Sequence, residues 1–151
     1  MPKFLQARDV DLFKSIAREL VDDVIQNIIV LFKINMNETK INIYGEALNK
    51  TWYPGVELYA LYAKDPEDIV YEGFCAEMQQ NITFKLDRAM CEEKSIYPEV
   101  GDIIFFDTSY YEIDNTNEIQ FIGGNPDNSF SIVCETFMVS KSALNIEERI
   151  K

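Results

Sequence analysis

From about residue 28 to residue 139 the chain keeps a hydrophobic period close to two, and that constrains its fold more than any other feature. Alternation of this kind describes pleated strands with one buried face. "KINIYGEA" sets Ile41 and Ile43 against Asn42 and Tyr44. "GVELYALYA" places Val56, Leu58, Ala60 and Tyr62 on one face. "NITFKL" aligns Ile82, Phe84 and Leu86, and "FSIVCETFMV" alternates Phe130, Ile132, Cys134, Thr136 and Met138 with Ser131, Val133, Glu135 and Phe137. "IVYEGFCAE" reads as one further strand. The stretch "DIIFFD" is apolar on both faces and is expected to lie buried within the sheet system, with a turn at Asp107–Thr108 before "SYYEI" returns.

One element precedes the strands. Residues 9–27 read as an amphipathic helix, with Val10, Phe13, Ile16, Ala17, Leu20, Val21, Val24 and Ile28 on its apolar face. Asp9 is the expected N-cap, and Arg18 and Asp22 have the spacing of a weak ion pair. "IIVLFKI" continues this helix or begins a strand; periodicity does not decide. "NMNET" and "YPEVGD" carry turn chemistry, and "DRAMCEEK" fits a short helix. The polar segment 114–129, with Gly123, Gly124 and Pro126, is expected to be an exposed loop with at most a short strand at "IQFI". The fold class that follows is mainly β (α+β). It is an antiparallel β-sandwich or barrel with the N-terminal helix packed on it, in a single domain over residues 1–151.

Composition limits the chemistry. The 151 residues include no histidine, 26 Asp and Glu, and 14 Lys and Arg, for a net charge of −12. Imidazole-based catalysis and imidazole metal sites are therefore excluded. No Gly-rich phosphate loop and no calcium-loop spacing is present. The acidic runs "DPED" and "CEEK" read as solvated surface, so no catalytic residue, metal ligand or cofactor is expected. Cys75, Cys91 and Cys134 lack metal spacing and read as reduced thiols; Glu92 and Glu93 beside Cys91 disfavour its thiolate. The charge opposes binding to phosphates. The longest apolar run, "IIVLF", is too short to cross a bilayer as a helix, and no secretory leader is expected from "MPKFLQARDVDLF".

The aromatic residues suit an interface. Tyr and Trp bury a ring while a polar tip stays wet. Tyr44, Trp52, Tyr53, Tyr110 and Tyr111 are the candidates for a subunit or partner surface, against the alternative of ordinary sheet-face residues.

The order of four stretches carries a family resemblance. "IYGEALNKTW", "VELYALYAKD", "PEVGDIIFF" and "YYEI" together resemble the neck, or head-completion, proteins of T-even-type tailed bacteriophages. The matching positions are Tyr44, Gly45 and Glu46; Tyr59, Ala60, Leu61 and Tyr62; Pro98, Gly101, Asp102, Ile103, Ile104 and Phe105; and Tyr111, Glu112 and Ile113. The likeness spans roughly residues 18–140. Family members continue past the last strand into an extended portion, whereas this sequence stops at Lys151. The resemblance implies a non-enzymatic virion protein, made in the host bacterial cytoplasm. It implies a homo-oligomeric ring below the portal that closes the DNA-filled head and joins it to the tail. The implied partners are a portal or adaptor protein, tail proteins and passing genomic DNA, with no cofactor and no membrane. Within that picture Glu112, Asp114 and Glu118 are expected on an acidic loop that either faces the channel, where it would repel DNA phosphates, or touches a neighbouring neck or tail protein or faces solvent. The alternatives are a tail or baseplate adaptor, and a small cytosolic ligand-binding β-barrel.

Overall fold

A computed structural model describes residues 6–41, 47–66, 68–72, 75–140 and 144. Six strands close into an antiparallel barrel: β1 (Ile28–Phe32), β4 (Val56–Lys64), β7 (Asn81–Asp87), β8 (Ile103–Phe106), β9 (Ser109–Phe121) and β10 (Ser129–Val139). Their order around the barrel is β1-β4-β7-β10-β9-β8. β1 closes the ring by pairing with β4 on one side and β8 on the other, with Ile28 opposite Tyr59 and Phe32 opposite Ile103. Closure leaves the barrel without an edge strand open to further pairing.

Two small hairpins form sheets of their own. β2 (Lys40–Ile41) pairs with β3 (Ala47–Asn49), and β5 (Asp68–Glu72) pairs with β6 (Cys75–Gln79). The second hairpin corrects the expectation of one strand at "IVYEGFCAE": Asp68 pairs with Gln79 and Glu72 with Cys75. Residues 42–46, with Tyr44 and Gly45, lie outside the described residues.

Inward positions follow the alternation read from the sequence. Ile29, Leu31, Leu58, Ala60, Ile82, Phe84, Leu86, Ile104, Ile113, Ile132 and Cys134 are buried together in the barrel. Tyr111 and Phe106 pack edge-on against the Phe84 ring at 6.0 and 5.6 Å between centroids. The apolar doublet at the start of β8 has both faces covered, as expected. Ile104 enters the barrel, whereas Ile103 joins Phe32 and Leu144 in a second cluster. Asp107 and Thr108 both have positive φ, 48° and 67°, and reverse the chain between β8 and β9 in two residues. Such a turn matches the right-handed strand twist.

The N-terminal helix departs from its expected course. α1 spans Ala7–Glu19, and a π-helical turn, Leu20–Ile25, follows it. Gln26 ends the turn with φ 52° and donates its amide to the Val21 carbonyl at 3.1 Å. Gln6 occupies the N-cap position without a side-chain cap, so Asp9 is not the cap; it lies in the first turn, where its charge complements the helix dipole. The short helix at "DRAMCEEK" is α2 (Arg88–Glu93), capped by Asp87, whose Oδ2 accepts the Met90 amide at 3.1 Å.

The polar segment after residue 113 is not a loop. β9 runs unbroken to Phe121, and only Ile122–Asn128 forms tight 3-10 turns. Pairing with β10 hides this strand from sequence patterning, because its register slips three times. At the first slip Ile113 and Asn115 face the consecutive residues Thr136 and Glu135, so Asp114 is an extra, bulged residue. A bulge of this kind reverses which side chains point inward.

Candidate functional site

The aromatic candidates separate into three environments. Tyr111 is 1% exposed and fills the barrel, and its hydroxyl donates to Gln80 Oε1 at 3.3 Å. It is therefore a core residue rather than a surface one, because its strand position points inward. Trp52 and Tyr110 are half-buried and pack on the second cluster outside the barrel wall. There the Tyr110 ring lies 4.9 Å from Phe105 and 6.5 Å from Phe32. Tyr53 is exposed. The structure thus brings Trp52 and Tyr110 to one patch and separates Tyr111 from them.

The acidic candidates share one strand but not one environment. Glu112 pairs with Lys50 at 3.0 Å, and Glu118 pairs with Arg88 at 3.1 Å. Glu112 thus faces its own cation, whereas Glu118 shares Arg88 with Glu92. Asp114 follows the inward Ile113 and faces the outer wall, where it is exposed; the bulge reverses the parity only of the residues after it. With Asp65 and Glu135 it lines an open groove of about 220 Å³. Sequence spacing grouped Glu112 and Glu118 with Asp114; cross-strand register groups Asp65 and Glu135 with it instead. Arg18, Lys33, Lys50, Lys64 and Arg88 are each bound to a carboxylate.

Among the described residues, the N-terminal helix and its π turn carry many of the exposed large apolar side chains. Val10 and Val21 are buried, and Arg18 holds the helix to α2 through two hydrogen bonds to Glu93, at 2.6 and 2.7 Å. The i,i+4 pair of Arg18 and Asp22 forms as expected, at 3.3 Å. Packing on the barrel covers only one side of the apolar stripe, however. Leu12, Phe13, Ile16 and Leu20 are 46–57% exposed, Val24 is 69% exposed, and Ile28 is exposed on β1. At 100° per residue Val10, Ala17 and Val21 share one side of the helix. Leu12, Phe13, Ile16 and Leu20 fall on the adjoining side. The wider π turn then rotates Val24 away from the barrel. Beside this face, Ala17, Leu20, Val21, Leu61, Leu86 and Phe130 line a largely apolar cavity of about 150 Å³ between helix and barrel wall. Sequence reasoning missed Leu12. The signal available for it was an apolar arc too broad for a single contact.

The buried ionisable groups serve the backbone. Asp102 is fully buried, and its two oxygens accept the Ile34 and Glu99 amides, each at 2.9 Å. Burial pushes its carboxyl above the usual range, against those amides and the nearby Lys33. Asp87 is likewise raised by burial, opposed by the Met90 amide. Cys91 and Cys134 are free thiols in the barrel core, and each is pushed up to about 12, first by burial. At Cys91 the charges of Asp87 and Glu92 add to the effect. A thiol held protonated in this way is a poor nucleophile. Among the described residues no group of three or more Cys, Asp and Glu is placed to hold a metal ion. No described helix is long and apolar enough to cross a membrane.

No protein-family model matches the chain, and no curated protein does. Among solved structures, a chain from the virion of a native gene transfer agent particle is similar, with a TM-score of 0.55 at 12% sequence identity. The likeness covers 74% of this chain and 93% of that one. At this identity it shows a shared fold.

Proposed function

We propose that this chain is a structural virion protein of a tailed-phage neck. It forms a ring that closes the DNA-filled head below the portal and joins it to the tail. The observation that carries this reading is the likeness of the fold to nearly the whole of a virion chain. The residue order resembling phage neck proteins, from "VELYALYAKD" through "PEVGDIIFF" to "YYEI", supports it independently. Catalysis has no place in it: the buried carboxylates, Asp87 and Asp102, are engaged by main-chain amides.

A pocket protein fits the interior poorly. Phe84, Tyr111, Leu31, Ile104 and their neighbours fill the barrel, and small barrels packed in this way leave no room for a ligand. The exposed aromatic Tyr53 and the Trp52–Tyr110 patch are the proposed contacts to neighbouring virion proteins. Asp114, with Asp65 and Glu135, is the proposed channel-facing acidic group. Repulsion of phosphates there would let DNA slide, over a range of about 8–10 Å at physiological salt.

The test is a phage preparation lacking this chain. DNA-filled heads and complete tails should accumulate unjoined, and added protein should restore joining. Normal joining without the chain overturns the neck reading, and defective tails or baseplates would assign it to an adaptor there instead.

A further inference from the structure

We propose that the outward face of the N-terminal helix is a homotypic contact, on which a second copy of this chain lays its own helix antiparallel. This goes beyond the neck reading, which names no residues of the helix. A two-fold contact closes on itself and links copies in pairs; it relates copies by 180° and so belongs to pairs formed outside a ring, whose seams run head to tail.

Three observations carry the proposal. The first is area. Leu12, Phe13, Ile16, Leu20 and Val24 are each about half exposed or more. Together they present on the order of 400–500 Å² of apolar surface, as large as the largest patch on most monomers. With a polar rim that approaches the roughly 800 Å² per partner of a specific interface.

The second is fit. An antiparallel pairing centred on Ile16 sets Phe13 of one copy near Leu20 of the other. Leu20 borders the cavity of about 150 Å³ between helix and barrel. The apolar contact therefore has a recess at its edge, beside Leu20, rather than a closed wall.

The third is charge. The first half of the helix is balanced by Arg8, Asp9, Asp11 and Lys14, whereas the second half ends in Glu19, Asp22 and Asp23 around an Arg18 already engaged by Glu93. Parallel pairing would set the acidic ends together. Antiparallel pairing sets Arg8 of each copy beside Asp23 of the other, and both are exposed.

Sedimentation of the full chain over a concentration series tests this. The native chain should pass from monomer to dimer. The double variant Phe13→Glu with Ile16→Glu should weaken that association by about a hundredfold or more, with an unchanged melting temperature. Arg8→Glu and Asp23→Arg should each weaken it, and combining the two in one chain should restore it. A native chain still monomeric at roughly millimolar concentration overturns the proposal. So does an apolar-face variant that dimerises normally. If the combined charge variant is no better than the singles, antiparallel pairing is wrong. Should the native chain stay monomeric yet bind another virion protein through this face, the second copy is excluded as its occupant. The neck reading is tested separately by head–tail joining, so the two can fail independently.

Discussion

The Ile34 amide donates to Asp102 Oδ1 at 2.9 Å, across 68 positions of sequence. The other carboxylate oxygen accepts the Glu99 amide, and Lys33 Nζ lies 3.6 Å away. One side chain therefore ties the end of β1 to the turn that starts β8, the two strands that close the barrel. Replacing Asp102 by Ala leaves two part-buried amides unsatisfied and should cost about 2–4 kcal/mol. Denaturant unfolding measures it. Because burial raises this carboxyl in the folded state, its ionisation opposes folding. Its contribution is most favourable below the unfolded carboxylate pKa and declines as pH rises through the raised folded value. Asp102→Asn should flatten that part of the stability profile.

The helix tether titrates in the opposite sense. Arg18 hydrogen-bonds the Glu93 carboxylate and lowers its pKa. The stabilisation is present above the ordinary Glu value and is lost as pH falls through the lowered one. Glu93→Gln should abolish that acid-side change while leaving neutral-pH stability nearly untouched, as expected of an exposed pair. Limited proteolysis near residue 20, followed from pH 7 to pH 3, should show earlier cleavage of the variant at neutral pH and no further gain on acidification. A cleavage rate equal to that of the native chain at pH 7 would show that Arg18 does not hold the helix.

Gly55 precedes β4 at a point of close approach. A Cβ there would meet Val30 Cγ1 and stand 2.8 Å from Phe32 Cε1. Both are β1 side chains in a packed region, so neither yields freely. Gly55→Ala should destabilise the chain by roughly 1–3 kcal/mol. Thermal unfolding reads it, and an unchanged midpoint would mean that β1 shifts without strain.

Asp114 and Glu135 test the proposed charge at the channel. Changing both to Lys alters exposed positions and should leave the fold intact. Particles carrying the pair should assemble and release DNA more slowly, most clearly at low salt, where screening is weakest. Release at the native rate at every ionic strength excludes a channel-facing role.

The barrel was legible wherever alternation was clean. Leu58 and Ala60, Ile82 to Leu86, and Ile132 to Thr136 face inward as their period demands. β9 was not, because the bulge at Asp114 reverses its parity and the residues beyond it are polar. Tyr111 is a core ring although its residue type suits an interface, because composition says how many aromatic residues exist, not which face of a strand they occupy. The helix was legible as amphipathic, but not how much of its apolar arc the barrel covers. That depends on where Arg18 and Val21 anchor it, and on a π turn that no residue spacing announces.

Barrel closure has a consequence for how the chain folds as it is made. β1 needs β8, and Phe32 must wait for Ile103 to be synthesised before it can pair. Contacts of such separation form slowly. Until they form, "IIVLF" and the apolar helix before it emerge from the ribosome with one side uncovered, so the nascent chain is most prone to aggregate over its first hundred or so residues. The β8–β9 hairpin, local and turned in two residues, is then the step that covers β1. A faulty turn at Asp107–Thr108 should lower the yield of folded protein more than the stability of what does fold.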